Sequence, residues 1–272
     1  MTPNIKSSLC FLTPSGLRPQ HPLFVFLPGM DGTGQLLRTQ TGALEVDFDV
    51  RCLAIPPDDQ TGWDELTGQV LELIHTEIAK HPAGRPVYLC GESFGGCLAL
   101  KVATQAPQLF DRIILVNPAS SFDRRPWMLW GGQIIQWFPN FLYEWSSVGL
   151  IPFLGDLSRI SPDNHQAFFS AVRTVPKETS LWRISLLQSF RLNDLPLDRL
   201  KQPVLLIASG SDRLLPSIPD AEALVCQLPN ARLTTLPHSG HACLLEKDVN
   251  LYEILKSQQF LQPVSVAKLM CG

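Results

Sequence analysis

Positive charge is in short supply. Lysine and arginine number 22 against 25 aspartates and glutamates, the net charge is −3 and the pI about 6.1. No basic stripe offers itself to a phosphate backbone, so nucleic acid is not an expected partner. The chain also lacks any run of about 18 apolar residues, the length a membrane-spanning helix needs. Residues 1–20 hold no long apolar core behind a basic segment, so no signal peptide is expected. The seven cysteines follow no C-x-x-C spacing. Reduced, mostly buried thiols in a reducing compartment are expected, with neither metal nor cofactor. Internal repeats and low-complexity linkers are missing too, and the 23 prolines are dispersed. Together these absences predict a cytoplasmic protein whose contact with a membrane is at most peripheral.

What is present suits a globular enzyme with a large core: 45% of residues are apolar and 17% charged. Apolar runs at 22–27, 86–90, 112–116 and 203–208, an alternating run at 48–55 and a last one at 231–236 read as strands. Trp63, Leu66, Val70, Leu73, Ile74 and Ile78 recur at three- and four-residue steps, which predicts an amphipathic helix over 63–80. Strands alternating with helices predict a mainly parallel sheet with helices on both faces.

The stretch Gly91-Glu92-Ser93-Phe94-Gly95-Gly96 lies between a predicted strand and a predicted helix. G-x-S-x-G in that setting is the nucleophile elbow of the α/β-hydrolase fold. Its serine occupies a strained turn, and the helix folds back over the strand it has just left. Side chains at Gly91 and Gly95 would collide there.

A serine nucleophile needs a base, and the base an orienting acid; in this fold they follow in the order Ser, Asp or Glu, His. Asp212 lies in the loop after the strand at 203–208, in Ser209-Gly210-Ser211-Asp212, where an ordinary Asx turn is the competing reading. His238 and His241 both follow the strand at 231–236. Gly240-His241 followed by an apolar stretch and Glu246 is the usual setting of the base, which leaves His238 as a neighbour or loop-shaping residue. His21, His75, His81 and His165 sit in no motif and read as surface or packing residues. The oxyanion hole needs two backbone N–H groups. Phe94 follows the nucleophile, and Met30 lies in the loop Leu27-Pro28-Gly29-Met30-Asp31-Gly32-Thr33-Gly34, where Gly29 lets the backbone approach. Asp31 is either a surface turn residue or a contact to a cap; both readings stay open.

Residues 118–196 break the strand–helix rhythm and hold five of the six tryptophans. The expected division is a core of residues 1–117 and 197–272 with a helical cap, or lid, at 118–196. Its aromatics form the cap's own small core, line an apolar substrate tunnel or touch a membrane. Trp127, Trp130 and Trp137 are the substrate-facing candidates.

The loop at 27–34 resembles the L-P-G-x-D-G-T-G stretch of the phytyl ester synthase family, esterase/lipase/thioesterase-like acyltransferases of plant plastids with cyanobacterial relatives. Further matches are 51–56, the elbow string 91–100, Asn117-Pro118-Ala119-Ser120-Ser121-Phe122 and Ser239-Gly240-His241. The resemblance implies acyl transfer from lipids or thioesters to phytol or a similar long alcohol. The larger plant members carry a targeting segment and a second region with an H-x-x-x-x-D motif. No histidine here is followed by aspartate five positions on, so the chain resembles the short bacterial or cyanobacterial form. Esterase and thioesterase chemistry, with water as acceptor, needs the same residues and is the alternative. A non-catalytic binding protein on this scaffold is disfavoured, because every triad residue type is in place.

Overall fold

A computed structural model describes residues 8–80, 84–122 and 151–262. The expected strands form in a seven-stranded sheet, joined by one that periodicity missed. They are β1 (Cys10–Leu12), β2 (Leu23–Leu27), β3 (Asp49–Ala54), β4 (Val87–Glu92), β5 (Arg112–Val116), β6 (Val204–Ser209) and β7 (Ala231–Leu236). Their spatial order is β1-β3-β2-β4-β5-β6-β7. All pairs are parallel except β1 with β3. The missed β1 has three residues and an exposed–intermediate–exposed pattern, too short to show a period. The chain starts at the edge strand β1, crosses to β2, steps back to β3 between them, then restarts at β4 on the other side of β2 and runs the other way. That makes the crevice between the C-terminal ends of β2 and β4 a topological switch point, where ligands bind in open α/β sheets.

Alternate residues of each buried strand face opposite cores. Leu23, Val25 and Leu27 of β2 join Leu89 and Leu206 on one face. Phe24 and Phe26 join Tyr88, Ile114 and Ile207 on the other. The first face is covered by α2 (Trp63–Ala79), α3 (Phe94–Gln105) and α7 (Ser217–Val225), the second by α1 (Thr41–Leu44) and α8 (Leu251–Ser257). Between β5 and β6 come α4 (Ile151–Leu154), α5 (Pro162–Thr174) and α6 (Lys177–Ser189). Trp127, Trp130 and Trp137 lie outside the described residues.

The alternation in β3 is real, but its polar members are not solvated. Asp49 and Arg51 are each 1% exposed. Arg51 Nη1 donates to Asp49 Oδ1 at 2.7 Å and Nε to Glu77 Oε1 of α2 at 2.7 Å, while Arg85 Nη2 donates to Asp49 Oδ2 at 2.6 Å. Removing one partner from such a network typically costs about 3–5 kcal/mol, because a charge is left buried alone. Cys52, Cys90, Cys97 and Cys243 are buried free thiols, and Cys10 and Cys226 are exposed. Among the described residues no helix is long and apolar enough to cross a membrane.

Candidate active site

The elbow is a strand that ends abruptly. Ser93 has φ 53° and ψ −114°, a conformation costing on the order of 1–3 kcal/mol for a residue with a side chain. Its neighbours impose it. Ser93 N donates to Val116 O at 3.0 Å, and Ser93 O accepts from Gly96 N at 3.0 Å and Ala119 N at 3.1 Å. A Cβ at Gly91 would lie 2.2 Å from Gly95 O, as the fold-back of the helix requires. A Cβ at Gly95 meets something else: Leu27 O at 2.1 Å and Pro28 O at 2.4 Å. The second glycine therefore makes room for the loop after β2 rather than for β4.

Ser93, His241 and Asp212 meet although 148 residues separate the first two. Ser93 Oγ lies 2.8 Å from His241 Nε2, and His241 Nδ1 lies 2.7 Å from Asp212 Oδ2. A side-chain-closed turn and a contact with the imidazole occur together at Asp212. Its Oδ1 closes a turn, accepting from Leu214 N at 2.8 Å and Leu215 N at 2.9 Å, while Oδ2 faces the imidazole and the Ser217 hydroxyl. Burial raises the Asp212 pKa, but the His241 charge and hydrogen bonds outweigh it, so the carboxyl titrates below its ordinary value. Burial likewise opposes charge on His241, and the Asp212 carboxylate overcomes it, holding the imidazole above its ordinary value. His241 is buried, whereas His238 sits exposed in the turn after β7. His165 Nε2 packs against Leu157 O and Ile160 O at 2.9 and 3.1 Å, away from the triad.

Neither the Met30 nor the Phe94 N–H finds an acceptor among the described residues; Phe94 follows Ser93 in the chain, and Met30 lines the same cavity as Ser93. Asp31 is no surface turn residue. It is 8% exposed, and its Oδ2 accepts from Thr33 N at 2.9 Å and from the Thr33 hydroxyl. Burial raises its pKa against the pull of Thr33 and Arg183.

Three residues unassigned from the sequence complete the site. Asn117, with φ 42°, accepts from Ser209 N at 2.8 Å and donates to His241 O at 2.8 Å, tying β5, β6 and the base loop. Its sequence signals are Asn-Pro directly after a strand and a place in the matching string at 117–122, neither of which assigns it a partner. Arg183 of α6 is 2% exposed and donates to Met30 O at 2.6 Å and Pro56 O at 2.9 Å. A polar residue on the buried stripe of a weakly amphipathic helix gives no periodic signal. Glu92 is 2% exposed, neither of its carboxyl oxygens has a hydrogen-bond partner among the described residues, and burial pushes its pKa up to about 8.

Ser93 and His241 open into a cavity of about 220 Å3 whose walls include Phe168, Val172, Leu181 and Ile184. These come from α5 and α6. The arrangement can pass a proton from a serine hydroxyl to an imidazole beside an apolar space.

The chain belongs to the alpha/beta hydrolase family, whose model matches residues 24–253. It is an enzyme of that family. It is similar to phytyl ester synthase 1, chloroplastic, of Arabidopsis thaliana, with 34% identity over 260 residues, covering 86% of this chain and 36% of that one. The chain thus spans little more than a third of that relative's length. It is also similar to a pimeloyl-[acyl-carrier protein] methyl ester esterase of Nitrosomonas europaea, 30% identical over 61% of this chain and 70% of the esterase. Among solved structures, a hydrolase from Oleispira antarctica superposes with a TM-score of 0.73 over 94% of each chain at 14% identity, a likeness of fold. The fold read from the elbow is found, and the relatives similar to this chain include the phytyl ester synthases that the loop at 27–34 resembles.

Proposed function

We propose that this enzyme transfers long acyl chains from lipids or thioesters through an acyl-enzyme on Ser93, with phytol or a similar long isoprenoid alcohol as acceptor. The observation that carries the reading is a hydrogen-bonded Ser93–His241–Asp212 line opening directly into an apolar cavity. Ser93 Oγ attacks the acyl carbonyl while His241 Nε2 takes its proton. Asp212 holds the imidazolium. The Met30 and Phe94 N–H groups receive the oxyanion; one such donor is typically worth ~10²–10³ in turnover. Collapse expels the alcohol or thiol of the donor, which leaves with the proton from His241. The acceptor O–H then gives its proton to His241 and its oxygen attacks the acyl-enzyme, releasing the new ester and Ser93.

Residues 118–196 serve as the cap. Its described helices wall the cavity, and each methylene buried there is worth about 0.8 kcal/mol. A dry site of this kind favours a lipid alcohol over water. The enzyme works in the cytoplasm, meeting its lipid substrates at a membrane surface. The second reading, hydrolysis of acyl esters or thioesters by water, is favoured by the similarity to the methyl ester esterase.

A labelled acyl donor, supplied with and without phytol and followed by lipid separation, decides between them. Phytyl ester rising with alcohol concentration at the expense of free acid is the expected result, and Ser93→Ala abolishes both products. Free acid alone at every phytol concentration makes the enzyme a hydrolase. Turnover of Ser93→Ala within tenfold of wild type removes the acyl-enzyme altogether.

A further inference from the structure

Arg183 is a buried cation on a helix that lines the cavity with Ser180, Leu181 and Ile184. It forms no hydrogen bond or ion pair with Ser93, His241 or Asp212. Its two bonds go to main-chain carbonyls in the loops after β2 and β3: Nη1 to Met30 O at 2.6 Å, Nη2 to Pro56 O at 2.9 Å. Space for it is built in. Gly32 has φ 68°, and a Cβ there would lie 2.9 Å from Arg183 Nη1. The same helix is fastened on either side. Trp182 Nε1 donates to Thr61 O at 3.1 Å, and Trp63 Nε1 donates to Leu186 O at 2.7 Å. Next to Arg183 on the same helix, Leu181 and Ile184 line the cavity beside Ser93.

One short helix therefore carries both the wall of the apolar cavity and the only side chain, among the described residues, bonded to the Met30 carbonyl. Met30 is the residue whose N–H is assigned to the oxyanion. A shift of this helix moves the Met30 main chain with it. We propose that Arg183 is a positioning residue that couples occupation of the acyl cavity to the oxyanion loop. An acyl chain packed on Leu181 and Ile184 holds the helix, the helix holds Arg183, and Arg183 holds the Met30 peptide where the tetrahedral intermediate needs it. Binding energy from the remote chain then appears as turnover rather than as affinity. The inference rests on the acyl-enzyme reading above and adds to it a route by which chain length governs rate.

The test compares kcat and KM for p-nitrophenyl butyrate and p-nitrophenyl palmitate in wild type, Arg183→Met and Arg183→Lys. In wild type the palmitate kcat exceeds the butyrate kcat by about tenfold or more. In Arg183→Met that ratio falls to within about twofold, and the remaining chain-length preference moves into KM. Arg183→Lys keeps the charge but reaches one carbonyl at a time, gives an intermediate ratio, and carries the test if Arg183→Met fails to fold. A general loss of structure lowers both kcat values and leaves their ratio alone. An unchanged ratio in a folded variant therefore overturns the coupling while leaving the acyl-enzyme reading intact. A wild type that turns butyrate over faster than palmitate overturns the long-chain reading itself, and the coupling with it.

Discussion

His241 works against its own surroundings. Burial alone would keep the imidazole neutral at low pH, yet the Asp212 carboxylate holds its pKa above the ordinary value. In the proposed reaction only the neutral imidazole can accept the Ser93 proton, so activity is expected to fall as pH drops through this raised value. Wild-type kcat/KM is therefore expected to show an acid limb above the ordinary histidine pKa of about 6.5. Asp212→Asn removes the largest raising influence and leaves the burial that lowers the value. The acid limb then moves to lower pH, while turnover at the plateau falls by up to ~10⁴. A limb that stays in place would show that another acid sets the imidazole. At this scale the sequence was legible where chemistry repeats a pattern. Ser93 came from its glycines, Asp212 and His241 from their places after late strands. Asn117 and Arg183 were not legible, because each acts through main-chain atoms of residues 92 to 153 positions away. No local pattern records a bond of that span.

Strand ends, rather than whole strands, build this site. β5 stops at Val116, and the next residue reaches sideways to β6 and to the base loop. Asn117→Ala leaves the Ser209 N–H and the His241 carbonyl buried without that partner. Each such loss costs about 1–3 kcal/mol. A destabilisation of roughly 2–4 kcal/mol in urea unfolding is expected, with a fall in kcat larger than any rise in KM. Asn117→Asp keeps the acceptor for Ser209 N but sets a carboxylate against the His241 carbonyl at a fully buried position, so it should destabilise at least as much as Asn117→Ala. A folded Asn117→Ala with wild-type kcat and KM would mean that Asn117 only supports the fold. Elements were read from the sequence wherever apolar periodicity was long enough. β2 and β4 showed as continuous runs because both faces are covered, and α2 showed through its three- and four-residue steps. β3 displayed a polar alternation whose buried ion pairs depend on Glu77 and Arg85, which no reading of the strand alone contains.

The molecule as a whole is organised by the reversal of strand order between β2 and β4. That reversal opens the crevice that Ser93 and Met30 share, and it sends the acid and the base to the far half of the sheet. The order of assembly follows. The central strands and the elbow belong to residues 23–116, but Ser93 meets its base only after β6 and β7 have been added. During synthesis at about 5–20 residues per second, the 148 residues between Ser93 and His241 take roughly 7–30 s to appear. A chain in that interval lacks His241 as proton acceptor, and its serine is expected to be no more reactive than any other. Ribosome-bound chains stalled before residue 241 should therefore resist a fluorophosphonate probe that labels the released enzyme. Labelling of the stalled chains at the full rate would mean that the serine is activated without its histidine. A nascent enzyme of this design is expected to stay chemically silent until its last strand and the loop after it are in place.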